Sequence, residues 1–339
     1  MSTQIDYQIG IAPESTYGTA VTPSRFFESA VNFDYTPVKV QGEGTRKGKF
    51  VNRLNRNVLS RIEASGTLDV EVATSGFGIL LEAVMGEVTT TVSGGVSQQV
   101  HTLEKDDFLK SFTIQGVVPT LGGGATLAQT FTGCMAESIE FTASEGEILK
   151  ASIPWTARDM VTNESAAVAS YPTNDLFTFL HGEIAVRAGS TFTPPTASAI
   201  AAVGIGDDVA ANVKTVSVKI ENGLDSGGYN LGGAGKRSRK RALGKRTITG
   251  SLQVELTDSR LRDRFVSQTS LYMILTFTHG SGADAPTLQI VLPSILLKGG
   301  IPKSNNGDVI TIDADFEAFD NGTSAEPIWV VYRSADTAP

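Results

Sequence analysis

Two segments of the chain share one alternation of apolar and polar residues. In residues 64–72 (ASGTLDVEV), Leu68, Val70 and Val72 lie on one side of an extended chain and acidic residues lie on the other. Residues 248–256 (ITGSLQVEL) repeat the pattern at an offset of 184 residues, with Gly, Leu, Val and Glu at the same places. A period of two is typical of a strand with one buried face, so we expect two copies of one strand.

Two further landmarks repeat in the same order. Residues 31–35 (VNFDY) resemble residues 216–220 (VSVKI) at an offset of 185, and residues 146–159 resemble residues 307–320 at an offset of 161. The smaller offset indicates that the second half lacks residues before its last landmark. The extra residues of the first half include TTTVSGGVSQQ and PTLGGGAT, which predict longer turns. The common order of the landmarks indicates an internal duplication.

The duplication predicts a mainly β chain with two tandem domains, residues 1–172 and residues 173–339. Each copy of the alternating strand follows a basic loop and precedes a short helix. The helices are predicted over residues 75–86, with an N-cap at the first of them, and over residues 258–269. Residues 190–211 are rich in Pro, Gly and Ala, and we interpret them as a surface loop within the second domain.

The charge of the chain is unevenly distributed. The net charge is −8, but residues 42–61 carry +5 and residues 236–246 carry +7, which leaves −20 on the rest of the chain. Aromatic side chains that could stack on bases are missing from the second basic loop, and only Phe50 interrupts the first. We therefore favour contact of both loops with an acidic protein surface over contact with nucleic acid. The candidate contact residues are Arg46, Lys47, Lys49, Arg53, Arg56, Lys236, Arg237, Arg239, Lys240 and Arg241.

The sequence offers no catalytic motif. Its three histidines, His101, His181 and His279, lie apart, and none has a cysteine or a second histidine at metal-ligand spacing. The single cysteine, Cys134, excludes an internal disulfide and is expected to be buried. The alternating acidic residues of 313–317 could bind calcium, although an acidic strand face explains them more simply. We predict no enzymatic activity, no cofactor and no metal.

The N-terminus and the apolar runs bear on location. MSTQIDYQIG has neither the basic nor the apolar segment of a secretion signal. No apolar run approaches the roughly 18 to 20 residues that a membrane helix needs. We expect synthesis in the cytoplasm and no contact with a membrane.

Several segments resemble the tail tube proteins of long-tailed, non-contractile phages. The opening IGIAPESTYGTAVTPSRFFE is similar to the start of these proteins. The second half is closer still, through GKRTITGSLQVEL, DRFVSQTSLYMILTFTHG, LQIVLPSILLKGGIPKSNNGDVITIDADFEAFDNG and IWVVYRS. The resemblance covers nearly the whole chain and is a pattern across strands, without a catalytic signature.

The resemblance implies that each domain is a β-sandwich or barrel-like fold with one flanking α-helix and a long loop. Six such domains form a ring, their inner sheets join into a continuous barrel, and the rings stack into a tube through which DNA passes without specific binding. The long loop typically reaches the adjacent ring, and it corresponds to residues 38–58 and 225–244. The implied partners are other copies of the chain, the tape measure protein and other tail proteins, and the implied location is the virion tail.

The duplication bears on the number of chains in a ring. Two domains per chain give a pseudo-hexameric trimer, and the alternative is a hexamer in which one domain lines the tube and the other decorates it. Six domains with four inner strands each would give about 24 strands and a bore of roughly 35 to 40 Å. An acidic wall would repel the DNA that passes. The candidate wall residues are Asp69, Glu71, Glu255, Asp313, Asp315 and Glu317.

Two other functions remain open from the sequence. A two-domain β-sandwich could bind a ligand such as a carbohydrate, which predicts exposed aromatic platforms, yet aromatic residues make up only 7% of the chain. A tail terminator or baseplate protein with the same domain is the nearest alternative within the phage tail.

Overall fold

The fold is mainly β, as the alternating segments predict. The computed structural model describes residues 7–339 except residues 94, 121–125, 173, 190, 211, 283, 305, 306 and 308. Strands account for 50% of the chain and helices for 7%. The predicted fold class is therefore confirmed.

The elements follow one another in two series. The first half contains β1 (Gln8–Pro13), β2 (Arg25–Phe27), β3 (Val31–Gln41), β4 (Asn57–Glu71), α1 (Gly78–Met85), β5 (Gly86–Ser93), β6 (Val96–Leu103), β7 (Phe112–Pro119), β8 (Thr126–Ala136), β9 (Ser138–Ser144), β10 (Lys150–Ala157) and β11 (Asp159–Val161). The second half contains β12 (Gly182–Ala188), β13 (Phe192–Thr193), β14 (Ala202–Val203), β15 (Asp207–Asp208), β16 (Val213–Glu221), β17 (Thr247–Glu255), α2 (Arg260–Ser267), β18 (Leu271–Thr278), β19 (Thr287–Leu297), β20 (Thr311–Ala318) and β21 (Trp329–Ser334).

One sheet, which we call the inner sheet, runs through both halves. Its strand order is β3–β4–β10–β9–β16–β17–β20, and all of its neighbours are antiparallel. The halves meet where β9 pairs with β16, with Phe141 opposite Val218. Buried and exposed residues alternate along these strands, because one face of the sheet covers the core and the other faces solvent.

A second layer covers the buried face of the inner sheet. Its strand order is β2–β1–β7–β8–β11 over the first half. Over the second half the order is β15–β12–β18–β19–β21–β6–β5, where β5 and β6 come from the first half of the chain. The strands β8 and β19 connect the layers, since their C-terminal ends pair with β10 and β20 of the inner sheet. Two layers joined in this way form the β-sandwich or barrel-like fold that the resemblance implies.

Large apolar side chains fill the space between the layers. Trp155 of β10 is 1% exposed and meets Phe112 of β7 edge-on, with 5.9 Å between the ring centroids. Phe316 of β20 is buried to the same extent. Burial of a side chain of this size contributes roughly 2 to 3 kcal/mol, so the core fixes the geometry of the exposed face.

Strand pairs of the first half recur in the second half at the same offsets, 184 to 185 and 161 residues, at which the sequence repeats. The corresponding pairs are Val31–Leu68 with Val216–Leu252, and Trp155–Ala136 with Phe316–Leu297. Residues that match in sequence therefore have the same partners in the two halves.

Both helices are shorter than predicted. The helix α1 begins at Gly78 and not at Ser75, and its N-cap, Phe77, provides no side-chain hydrogen bond. The Ser75 carbonyl accepts a hydrogen bond from the Asn174 side chain at 2.8 Å, which holds this part of the chain as a loop. The helix α2 ends at Gln268, whose backbone is left-handed with φ of 50°.

One predicted longer turn is wrong. The segment TTTVSGGVSQQ belongs to the hairpin β5–β6. Its β-branched residues favour strands, and β6 gains a second partner in β21, close to the C-terminus. The glycines of PTLGGGAT lie outside the described residues.

The described part of the excursion, residues 191–210, lies on the second layer. Its short hairpin β13–β14 packs Phe192 against Trp329, with 5.8 Å between centroids. Phe192 also stacks on Tyr272 at 5.5 Å. The excursion therefore covers aromatic side chains that the second half would otherwise expose.

Candidate functional site

The exposed face of the inner sheet carries all six acidic residues predicted for the wall. Two project from β4, one from β17 and three from β20, and each is next to buried apolar residues in its strand. Because these strands are joined in register, their exposed side chains form one surface. The six residues are Asp69, Glu71, Glu255, Asp313, Asp315 and Glu317.

Polar neighbours hold the acidic side chains of this face. The Ser152 hydroxyl of β10 donates to Asp69 at 2.5 Å, and the Gln253 amide of β17 donates to Asp313 at 3.0 Å. Further hydroxyl and amide residues of the face are Asn32, Ser65, Thr67, Thr142, Ser217, Thr249 and Ser251. A surface of this composition repels phosphate groups and offers no ring on which a base could stack.

Sequence reasoning missed four acidic residues of the same face, namely Asp34, Glu63, Glu140 and Glu221. The register of their strands would have identified them, but they lie outside the repeated VEV motif. A lysine of the face is paired, since Lys219 lies 2.5 Å from Glu221. Their hydrogen bond holds the pKa of Lys219 above its ordinary value and the pKa of Glu221 below its own. The face is therefore acidic and polar.

The inner sheet ends at β3 on one side and at β20 on the other. The Lys298 N–H donates to the carbonyl of Asp315 at 2.7 Å, just as the Glu137 N–H donates to that of Pro154 at 2.8 Å. By the offset of 161, residues 299–304 correspond to residues 138–143 of β9, although they form no strand in this chain. Among the described residues, β3 has no strand beyond it, and the only strand beyond β20 is the end of β19, residues 295–297.

The first basic loop projects as a hairpin arm, residues 37–62. Its base is paired as far as Gln41 opposite Asn57. Phe50 at its end is fully exposed. The arm contains five of the predicted contact residues, Arg46, Lys47, Lys49, Arg53 and Arg56, and no ion pair within the described part of the chain involves any of them.

The second basic loop, residues 222–246, folds back onto the first half. The side chain of Arg241 is 11% exposed, and its guanidinium donates to the Thr156 hydroxyl at 2.7 Å, to the Leu224 carbonyl at 2.8 Å and to the Glu137 carboxylate. Burial opposes the ionisation of Glu137, but the hydrogen bonds from Thr156 and Arg241 outweigh it, so the pKa of Glu137 lies below its ordinary value. This arginine therefore links the two halves.

The other four predicted residues of this loop also bind within the chain. Their partners are Asp159 for Lys236, Leu109 for Lys240, Asp225 for Arg239, and both Tyr229 and Ala157 for Arg237. Burial lowers the pKa of Lys240. The structure therefore separates the two predicted sets: the first is exposed in the arm, and the second holds the loop against its own chain.

The histidines and the cysteine form no recognisable catalytic group. His181 and His279 approach to 4.7 Å between ring centroids, with Asp175 at 3.9 Å from the second. No set of three or more metal-ligating side chains suited to an ion was found in the described ranges. His101 is fully buried, and burial lowers its pKa to about 3. Cys134 is buried, as predicted.

A comparison with known families gave one match. The family model described as phage tail tube protein matches residues 6–318 of the 339. No curated protein matched the sequence. In the part of the chain that the structure describes, the helices are too short or too polar to cross a membrane. The matched range includes the inner sheet, both basic loops and both helices.

Proposed function

Because this chain belongs to the phage tail tube protein family, a structural and non-enzymatic class of the virion tail, we propose that three copies close into a ring and that rings stack into a conduit for DNA. In this proposal each chain supplies two tandem tube domains, residues 1–172 and 173–339. Other copies of the chain, the tape measure protein and other tail proteins are its partners. Synthesis takes place in the host cytoplasm.

The pairing of β9 with β16 is the observation that carries the proposal. It joins the two halves of one chain edge to edge in the inner sheet. Residues 299–304 correspond to residues 138–143 of β9, and β3 corresponds to β16, so the two ends of the inner sheet would be complementary in the same way. Unpaired edges of this kind accept a further strand. Pairing of residues 298–304 with β3 of the next copy would therefore repeat the internal junction.

The register of this junction follows from the internal one. The Asn222 N–H donates to the Glu137 carbonyl at 2.9 Å, so Ile139, Phe141 and Ala143 exchange hydrogen bonds with β16. Their counterparts at the offset of 161 are Gly300, Pro302 and Ser304, which would face Tyr35, Phe33 and Val31 of the next copy. Pro302 has no N–H, so one bond of the ladder is absent at this junction.

Closure of three chains gives a tube of suitable size. The inner sheet has seven described strands, and in this proposal residues 298–304 would supply an eighth on assembly. Three chains then form a barrel of about 24 strands with a backbone diameter of roughly 48 Å and a bore of roughly 35 to 40 Å. A duplex about 20 Å wide would pass. The acidic face of the inner sheet lines the bore in this arrangement and repels the phosphates.

The ring mass distinguishes this proposal from its alternatives. Three chains of 35.8 kDa give about 107 kDa, and a hexamer with one lining domain per chain gives about 215 kDa. Electron microscopy of the purified protein should show rings or tubes with a central bore, and light scattering should give the smaller mass. Monomers that persist at high concentration would count against assembly. Single rings that never stack would favour a terminator or baseplate component.

A further inference from the structure

The two ends of β4 carry features that complement each other. Its N-terminal part forms one side of the hairpin arm, residues 37–62, and its C-terminal residue, Glu71, lines a surface cavity of about 300 Å³. A strand of 15 residues spans roughly 45 Å, so the arm and the cavity are far apart in one chain. We propose that the end of the arm enters this cavity in a copy of the adjacent ring.

The cavity lies between β2, the end of β4 and the segment that precedes α1. Its apolar wall includes Phe26, Phe77 and Tyr171. Phe26 and Tyr171 meet edge-on, with 6.2 Å between the ring centroids. A cavity of about 150 Å³ already accommodates a benzene molecule, so this one has room for a phenyl ring and part of the chain that carries it. The cavity therefore suits an aromatic side chain.

Two carboxylates give the cavity a negative charge. Glu28 and Glu71 line it, both are exposed, and neither has an ion-pair partner in the part of the chain that the structure describes. Arg25 also lines the cavity, but it is paired with Asp336 at 3.7 Å. Burial and the nearby charge of Glu28 raise the pKa of Tyr171, which is consistent with a carboxylate beside the aromatic wall. The cavity therefore combines aromatic side chains with negative charge.

The end of the arm has the complementary chemistry. Phe50 is 100% exposed, Leu54 90% and Val51 79%. Basic residues surround the phenyl ring in the sequence, and Arg46 pairs with Lys49 across the turn that precedes it. Clustered exposure of apolar side chains marks a surface that binds another protein. A phenyl ring among basic side chains fits a cavity that is aromatic inside and bordered by carboxylates.

Both the arm and the cavity belong to the first half. The second basic loop, which corresponds to the arm, folds back onto its own chain. At the place that corresponds to the cavity, Arg260 stands at the position of Gly76 by the offset of 184 and pairs with Asp207 of β15 at 3.3 Å. Arg264 pairs with the same aspartate at 2.8 Å. These ion pairs join β15 to α2, whereas the first half has the cavity between β2 and α1.

The positions of the arm and the cavity would give the tube a direction. This inference rests on the proposed ring of three chains, which then has three arms and three cavities. Barrel strands run along the barrel axis with a tilt, so the two ends of β4 would lie at opposite faces of the ring. An arm would therefore meet a cavity only between stacked rings that point the same way, and each arm of one ring would have one cavity in the next.

The experiment uses the full chain with Val51→Cys and Ser170→Cys, assembled into tubes and then treated with a short bis-maleimide crosslinker. Val51 is next to Phe50 and Ser170 lines the cavity, so the two thiols should be within reach of the reagent. The native Cys134 is buried and should not react. A denaturing gel should show a ladder of species that extends beyond three chains, because the crosslinks pass from ring to ring.

The matched control is Val58→Cys with Ser170→Cys. Val58 is an exposed valine of the same arm, but it lies near the base, where it pairs with Val40. Docking of the end of the arm would leave this position outside the cavity, so most control chains should remain uncrosslinked.

The other outcomes separate this inference from the tube itself. Crosslinked species that stop at three chains would place the arm and the cavity in the same ring, and tubes without crosslinks would mean that the arm binds elsewhere. Either result overturns the inference and leaves the tube intact. Absence of rings and tubes from the unmodified protein would instead remove the proposed function.

If the cysteines prevent stacking, Phe50→Ala and Val58→Ala replace them. Both residues are exposed in the single chain, so the fold should not change. Loss of a buried phenyl ring weakens each contact, so the concentration at which tubes form should rise at least about tenfold in Phe50→Ala. It should stay near that of the unmodified protein in Val58→Ala. Equal concentrations for the two variants would overturn the inference.

Discussion

Replacement of Ser304 by proline tests the junction that closes the ring. By the offset of 161, Ser304 corresponds to Ala143, whose backbone exchanges hydrogen bonds with Val216 in the internal junction. Its N–H would therefore donate to the Val31 carbonyl of the next copy. Proline removes this donor and leaves the carbonyl without a partner. Ser304 is exposed in the single chain, so the fold of the monomer should not change.

The size of the effect follows from the number of junctions. A lost backbone hydrogen bond costs about 1 kcal/mol, and three junctions per ring make this about 3 kcal/mol. At 1.4 kcal/mol per factor of ten, the equilibrium constant for a trimer falls about 140-fold. The concentration at half-assembly varies with the inverse square root of that constant, so it should rise about twelvefold.

Sedimentation velocity over a range of concentrations measures this midpoint directly. The matched control is Ser304→Ala, which keeps the N–H and should assemble like the unmodified protein. Both variants should unfold at the same temperature as isolated chains. Midpoints of Ser304→Pro and Ser304→Ala that agree within about threefold would refute the pairing of residues 298–304 with β3.

Three further predictions concern the core, the wall and the link between the halves. Arg241→Met should lower the free energy of unfolding by about 2 to 3 kcal/mol, since carbonyl and hydroxyl partners are left unpaired. Arg239→Met, which breaks an exposed pair with Asp225, should have a much smaller effect, and equal losses in urea titrations would contradict the assignment. His101 stays neutral in the folded chain, whereas in the unfolded chain it gains a proton below its ordinary pKa of 6.5. Its contribution to stability is therefore complete above pH 6.5 and is lost as the pH falls toward its folded-state pKa of about 3. The free energy of unfolding should fall by about 3 kcal/mol less between pH 7 and pH 4 in His101→Gln than in the unmodified protein. The same pH dependence of stability in both proteins would exclude His101 as the cause of the acid destabilisation. Reversal of the acidic wall, for example Asp313→Lys with Asp315→Lys, should leave tubes intact and slow DNA ejection; an unchanged rate would remove the wall from the mechanism.

Local periodicity determined which parts of the fold were predictable from the sequence. The alternation around Leu68 and Leu252 identified β4 and β17, and with them the exposed acidic side chains, because the side-chain period of a strand is visible in any single segment. The pairing of strands that are distant in the sequence has no comparable periodic signal. The pairing of β6 with β21 spans more than 200 residues, and the sequence predicts only a turn where the hairpin β5–β6 lies.

The candidate assembly surfaces were predictable to different degrees. Both basic loops are evident from composition alone, but only the structure distinguishes them, since the contacts of Arg241 depend on how the first half packs. The counterpart of β9 in the second half is visible in the sequence. The offset of 161 already aligned β9 with residues 299–305, and Gly299, Gly300 and Pro302 concealed the match because these residues disfavour strands.

The difference between the two junctions has a consequence for assembly. The internal junction has Phe141 and the buried Ile139 in β9, whereas the corresponding edge has Pro302 and Gly300. Proline and glycine weaken an edge strand and protect it from indiscriminate pairing. The internal junction forms within one chain and can be strong without risk, but the edge must stay unpaired until another copy presents β3. In the proposed ring of three chains, strong and weak junctions would therefore alternate, and the symmetry would be threefold although the ring would contain six domains.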